Sequence, residues 1–186
     1  MKRFTVEATP LAGLMRVQRQ CLQDERGFLA RIFCAEQLAA AGWQRPVAQI
    51  NHTRTARRGC VRGLHFQRAP HAEAKLVSCV RGAVFDVAVD LRPGSPTYLH
   101  WNAFTLSAEN GLALLIPEGF AHGFQTLEDE AEMLYCHTAP HVASAEGGLH
   151  ALDERLAIAW PLPVAELSPR DRLHARIDAH FEGVPA

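Results

Sequence analysis

The sequence predicts a mainly β protein, a sandwich or barrel with short helices at its edges. From about Gln49 to Tyr135 it runs as short stretches of alternating or β-branched apolar residues. Glycine and proline cut these stretches, and few helical periods fall among them.

In chain order, the first element is a short helix over Ala35 to Ala41, which follows the apolar run Arg31-Ile32-Phe33 and stops at Gly42. Arg62 to Gln67 reads as a strand. Strict alternation places His65 and Gln67 on one face and Arg62 on the other, unless Gly63 introduces a bulge. Lys75 to Val80 and Ala83 to Leu91 flank Arg81-Gly82, a tight hairpin turn, and Pro93-Gly94-Ser95-Pro96 ends the second strand. Within that strand Phe85, Val87, Val89 and Leu91 share one face. Asp86, Ala88 and Asp90 share the other, so an acid is available to face a cavity. Trp101 to Leu106, Gly111 to Ile116 and Glu132 to His137 are further strands. Ser168-Pro169-Arg170-Asp171 opens a C-terminal helix with a capping-box-like start and proline in the first turn.

A chain of 186 residues, 48% of them apolar, suffices for one well-buried domain and is short for two, so a single domain over residues 1–186 is expected. With 19 basic against 20 acidic residues the net charge is −1, and no bulk electrostatic attraction favours nucleic acid or an anionic membrane. Any anionic ligand must be held by local arginines. No stretch reaches the roughly 18–20 uninterrupted apolar residues of a membrane span, and the N-terminus lacks the pattern of a secretion signal. A soluble, cytoplasmic protein is expected. Cys21, Cys34, Cys60, Cys79 and Cys136 form no CxxC pair, and the odd count argues against a disulfide framework.

Gly111, five residues, Pro117-Glu118-Gly119, two residues and His122 reproduce most of the second cupin motif, with Thr126 where that motif ends in Asn. The fold expectation thereby sharpens to a cupin-type jelly-roll β-sandwich with short peripheral helices. In metal cupins the histidine at position 122 is a ligand, joined by an HxH pair and a glutamate. The corresponding stretch here, Arg62-Gly-Leu-His65-Phe-Gln67, offers one histidine, short of the three or four protein ligands a metal site wants, so no metal is expected.

Several ordered segments carry a more specific resemblance: Arg62-Gly-Leu-His65-Phe-Gln67, Ala74-Lys75-Leu-Val, Phe85-Asp86-Val-Ala-Val-Asp90-Leu-Arg92, Leu106-Ser-Ala-Glu-Asn110 and Ile116-Pro-Glu-Gly-Phe-Ala-His122-Gly-Phe124. Asp24-Glu-Arg26-Gly-Phe28 and Gln49-Ile-Asn51-His52 precede them, and Leu167-Ser-Pro-Arg-Asp171 follows. Together they resemble the dTDP-4-dehydrorhamnose 3,5-epimerase family. An unrelated jelly roll needs the apolar alternation but not these polar residues.

The resemblance implies a metal-independent homodimer with an exchanged N-terminal strand, acting without cofactor on a nucleoside-diphosphate 4-keto-6-deoxyhexose. The ketone acidifies the hydrogens on both neighbouring carbons, so a base on one face and an acid on the other invert a centre through an enolate. Matched position by position, His65 is the base, Asp171 its orienting carboxylate, Lys75 an enolate stabiliser and Tyr135 the opposing acid. His122 and Asp86 line the site, while Arg26, Phe28, Gln49, Asn51 and Arg62 hold the nucleotide portion. A histidine fixed by a carboxylate has a defined tautomer and titrates near neutrality, as a base for a carbon acid requires. This chain departs from the family pattern at Arg31, where an acid is usual, and at Pro140-His141, where two tyrosines are usual; both positions bear on the nucleotide. His52, His71, His137 and His141 are read as structural, and Arg54, Arg57 and Arg58 as a solvated basic loop. The alternatives are a 3,4-ketoisomerase, a single-centre epimerase, and a non-enzymatic sugar-binding cupin.

Overall fold

The computed structural model describes residues 3–186. Four short strands come first: β1 (Phe4–Ala8), β2 (Met15–Arg19), β3 (Cys21–Asp24) and β4 (Gly27–Ala30). Helix α1 (Ala35–Ala39) leads to β5 (Gln49–Thr55), β6 (Val61–Gln67), β7 (Lys75–Arg81) and β8 (Ala83–Asp90). The chain continues through β9 (Trp101–Ser107), β10 (Leu112–Ile116), β11 (Phe120–Thr126), β12 (Ala131–His137) and β13 (Glu146–Gly148) to the four-residue helix α2 (Pro169–Arg172).

Two antiparallel sheets face each other. One has the order β1-β2-β10-β7-β12-β5, the other β13-β6-β11-β8-β9, and β3 and β4 form a separate hairpin. From β5 to β13 consecutive strands alternate between the sheets except at the β8–β9 hairpin, which is the cupin-type jelly roll. The space between the sheets is filled by inward residues from both, among them Val77, Leu114, Ile116 and Met133 from the first and Val84, Ala88 and Phe124 from the second. Full burial of such side chains stabilises by about 1.5–3 kcal/mol each.

The outer faces are covered too. The predicted Val87–Val89–Leu91 face of β8 packs outward against Leu149, Leu156, Ile177 and Val184 of the C-terminal segment. Leu38 of α1 and Trp43 pack on Val17, Leu76, Ala113 and Leu115 behind the six-stranded sheet. The inward face of β8 therefore carries Asp86 and Ala88, both 0% exposed. The Arg81-Gly82 turn joins β7 to β8, with Gly82 at φ +68°, but it is not the expected hairpin: β7 pairs with β10 and β12 in one sheet and β8 with β11 and β9 in the other, so the turn carries the chain across the sandwich. Helix α1 ends two residues before Ala41, and Arg54 belongs to β5 rather than to a loop. All five cysteines are free, and Cys60, Cys79 and Cys136 are buried.

Candidate active site

A cavity of about 1080 Å³ opens between the sheets where β5, β6 and β12 meet the segment from Glu166 to Asp171. His65 and Arg62 both line it, which simple alternation forbids. The bulge at Gly63 resolves this. His65 pairs with His122 and Arg62 with Phe124, so Gly63 and Leu64 together face the single residue Gly123. The two chains approach so closely there that a Cβ on Gly63 would lie 2.6 Å from Gly123 Cα, and one on Gly123 would lie 2.7 Å from the Arg62 carbonyl oxygen. Only paired glycines permit the bulge, and the bulge turns arginine and histidine to the same side.

His65 Nε2 lies 2.8 Å from Asp171 Oδ1, and the Gly63 N–H donates to Asp171 Oδ2 at 3.3 Å. Asp171 is 2% exposed. Burial disfavours its charge, yet the hydrogen bond and charge of His65, with Gly63 and Arg170, prevail and hold the carboxyl at about 2. An ionised carboxylate can only accept, so Nε2 carries the proton and Nδ1 is left as the acceptor of a neutral imidazole. The predicted capping box is half made: Ser168 Oγ accepts from the Asp171 backbone N–H at 3.0 Å, while the Asp171 carboxylate is committed to His65 and Gly63. Arg170 Nη2 stands 3.1 Å from His65 Nε2, and His174 meets the His65 ring edge-on at 5.6 Å.

Tyr135 occupies the opposite sheet and the opposite wall. Burial pushes its phenol well above the usual range, so it is protonated at any working pH. Its ring meets His122 edge-on at 6.0 Å. His122 Nε2 in turn lies 2.9 Å from Asp86 Oδ2, and burial raises the Asp86 carboxyl. Lys75 also lines the cavity, with Nζ 3.1 Å from Glu73 Oε1 and donating to the His65 carbonyl at 3.4 Å. Glu73 Oε2 accepts from Gln67 Nε2 at 3.1 Å and lies 3.1 Å from His137 Nδ1. Four histidine–carboxylate pairs thus lie on or just behind one cavity, His65–Asp171, His122–Asp86, His137–Glu73 and His141–Glu146; the sequence reading paired only the first and offered His122 and Asp86 singly. It missed Glu73, and it set His137 aside as structural although the side chain lines the cavity. The available signal was spacing, since Glu73 and Lys75 stand two apart leading into a strand.

The positions assigned to ligand binding divide. Arg62, Gln49 and Asn51 line the cavity, joined by Arg54, Arg57 and His141. Arg62 is oriented by Nε donating to Thr55 Oγ1 at 2.8 Å, and Gln49 by donating to Asn51 Oδ1 at 3.0 Å. Arg26, Phe28 and Arg31 are not brought there: the first two sit on the β3–β4 hairpin, where Phe28 is 70% and Leu29 69% exposed, and Arg31 contacts Cys34. Every residue of the hairpin but the half-buried Ala30 is exposed, so among the described residues it forms no part of a packed core.

Among the described residues one group of three metal-capable side chains occurs, His65, Asp171 and His174, with donor atoms within 4.8 Å of one another. The Arg170 guanidinium already stands beside two of them, 3.1 Å from His65 Nε2 and 3.5 Å from Asp171 Oδ1. No helix among the described residues is long and apolar enough to cross a membrane.

A histidine paired with a carboxylate, facing a buried phenol across a jelly-roll cavity with a lysine beside them, is an arrangement suited to acid–base chemistry. The family model for dTDP-4-dehydrorhamnose 3,5-epimerase matches residues 8–179. The chain is 41% identical over 172 residues to the dTDP-4-dehydrorhamnose 3,5-epimerase of Salmonella typhimurium, covering 91% of this chain and 93% of that one. It is 40% identical over 163 residues to a dTDP-4-dehydrorhamnose 3-epimerase of Streptomyces niveus, covering 87% and 78%. In structure it is similar to the dTDP-6-deoxy-D-glucose-3,5-epimerase of Legionella pneumophila Philadelphia 1, solved with dTDP-4-keto-L-rhamnose, at a TM-score of 0.90 and 38% identity, covering 98% and 97%. The chain belongs to the dTDP-4-dehydrorhamnose 3,5-epimerase family.

Proposed function

We propose that this protein epimerises a dTDP-linked 4-keto-6-deoxyhexose at C3 and C5, without a cofactor, by moving protons on the carbons beside the ketone. The observation that carries this reading is the pairing of His65 and Asp171 on one wall with the protonated Tyr135 on the other. His65 Nδ1 takes the hydrogen from the carbon next to the ketone. The C–H electron pair becomes the enolate double bond, and the negative charge settles on the former ketone oxygen. The Lys75 ammonium stabilises that oxygen, and because the charge exists only after proton loss the interaction lowers the barrier rather than tightening substrate binding. Asp171 stabilises the imidazolium that His65 becomes. Tyr135 then delivers a proton to the opposite face of the carbon, inverting it; once His65 has released its proton to solvent and the Tyr135 phenolate has regained one, the same cycle serves the second carbon.

The carrier is held by the arginine-lined rim, with Arg62 on the diphosphate through charge-assisted hydrogen bonds and Gln49 and Asn51 beside it. His122 lines the sugar side, and Asp86, expected to line it too, stands behind His122 as its carboxylate partner. The described chain acts as one domain and as a homodimer. The exposed hairpin bearing Arg26 and Phe28 reaches the partner's cavity, which accounts for an unpacked aromatic 70% exposed in the single chain. Arg31 contributes to choice of carrier from the same region. Incubation with dTDP-4-keto-6-deoxyglucose in heavy water tests the function: deuterium appearing at C3 and C5 supports it, deuterium at C3 alone reduces it to a single-centre epimerase, and exchange at neither carbon removes it.

A further inference from the structure

The chain carries two lysines, Lys2 and Lys75, among its 19 basic residues; all the others are arginine. Lys75 is the lysine inside the cavity, and its side chain is 8% exposed. An ammonium presents three N–H donors in a compact head, whereas a guanidinium presents a planar fork that cannot be aimed in the same space. Two of the three donors have partners: Glu73 Oε1 at 3.1 Å and the His65 carbonyl at 3.4 Å. The third is left for a ligand.

Glu73 is held as closely as the lysine it holds. Its side chain is 8% exposed, and its second oxygen is shared by Gln67 Nε2 and His137 Nδ1, each at 3.1 Å. His137 is the direct cross-strand neighbour of Lys75 in the β7–β12 pairing, so the two side chains rise from one face. The His137 ring lies at 26° to that of Tyr135, 6.1 Å away, and its Nε2 is buried without a partner. A proton on Nδ1 lets His137 donate to Glu73. Glu73 is then the carboxylate that answers Lys75. Burial opposes its charge, but His137 and Lys75 outweigh burial and keep it ionised.

We propose that Glu73, clamped by Gln67 and His137, is the positioning residue of Lys75: it aims the third ammonium N–H at the ligand and keeps the buried lysine charged. This rests on the reading of Lys75 as the enolate stabiliser. The other ionisable groups around the lysine are His65 on β6, Asp86 on β8 behind His122 on β11, and Tyr135 on β12. None is within hydrogen-bonding distance of the ammonium through its side chain, so none replaces Glu73.

Lysine labelled with ¹⁵N at the ε position gives two signals, Lys2 and Lys75, and Lys75→Arg assigns them without any assay of activity. In Glu73→Gln, which keeps the shape but removes the charge and leaves one acceptor oxygen where Glu73 has two, Lys75 should titrate about 1–3 pH units lower than in the wild type. The alkaline limb of kcat should move down with it. kcat at its optimum should fall about 10- to 100-fold while KM stays within about threefold, since the aimed donor acts on charge that forms after binding. Glu73→Asp retains the charge and shortens the reach, so it should keep the titration near wild type and lose part of kcat. Should Glu73→Gln fail to fold, Glu73→Asp decides: a lowered kcat with the alkaline limb in place supports the proposal, and wild-type kcat overturns it. A folded Glu73→Gln with unchanged Lys75 titration overturns it as well. If the wild type does not exchange substrate hydrogen, the functional reading fails instead, and the lysine titration still reports on Glu73.

Discussion

Replacing Asp171 by asparagine separates its two roles, as partner of His65 and as residue of the first turn of α2. The carboxyl sits at about 2 against an ordinary 3.8. That difference corresponds to about 2 kcal/mol of preference for the ionised form in the folded state. Since the folded value lies below the unfolded one, this stabilisation is present in full above about pH 4 and is lost as pH falls through about 2. Asp171→Asn should therefore unfold in urea with about 2 kcal/mol less stability at pH 7, and the gap from wild type should narrow at pH 3. The Ser168 cap on the backbone N–H survives this change. Ser168→Ala removes the cap instead and should cost about 1 kcal/mol without the same pH dependence. Catalysis distinguishes them further: Asp171→Asn leaves the imidazolium of His65 without its counter-charge and should slow solvent exchange by about 10²- to 10⁴-fold, whereas Ser168→Ala should exchange at close to the wild-type rate per folded molecule. An Asp171→Asn protein that is less stable yet exchanges like wild type would refute the dyad and leave Asp171 a structural residue.

Tyr135→Phe keeps the ring against His122 and removes the proton donor, so deuterium should still enter the sugar from the His65 side while inversion falls about 100-fold; NMR of the recovered sugar reads both, and unimpaired inversion would exclude Tyr135 as the acid. Arg62→Ala should weaken dTDP binding by about 10- to 100-fold in calorimetry with a much smaller change in kcat, reflecting the loss of charge-assisted bonds to the diphosphate. Phe28→Asp places a charge on the exposed hairpin and should shift sedimentation toward the monomer and raise KM; a variant with the wild-type mass and KM would remove the hairpin from the interface and the site.

The parts of the fold legible in the sequence are those where local patterning and tertiary burial agree. The facing of β8 could be read because its alternation survives in the fold, with Val87 and Val89 outward and Asp86 and Ala88 inward, and the jelly roll because the Gly111 to His122 motif spans a strand, a turn and the start of the next strand; the turn at Gly82 joins strands of different sheets, which local patterning does not distinguish from a hairpin. Strands β1 to β4 were not legible: they are four or five residues long, and the β3–β4 pair buries almost nothing, so no apolar period marks them. At the site, His65, Lys75, Tyr135 and Asp171 were proposed through ordered motifs, whereas their relative facing depended on the bulge opposite Gly123, which strict alternation gets wrong. Glu73 and His137 escaped because each reads as an ordinary polar residue until β7 and β12 pair and place them together. The placement of Arg26, Phe28 and Arg31 away from the cavity goes with a hairpin that is exposed along nearly all its length and so leaves no apolar pattern to read.

The central claim is that His65 removes the proton beside the ketone. His65→Asn can be measured directly, with dTDP binding by calorimetry and deuterium uptake from heavy water at C3 and C5 of a dTDP-4-keto-6-deoxy sugar on the same preparation. The account predicts nucleotide affinity close to wild type and deuterium uptake reduced by about 10²- to 10⁴-fold at both carbons. Uptake at the wild-type rate by a folded His65→Asn protein would contradict it.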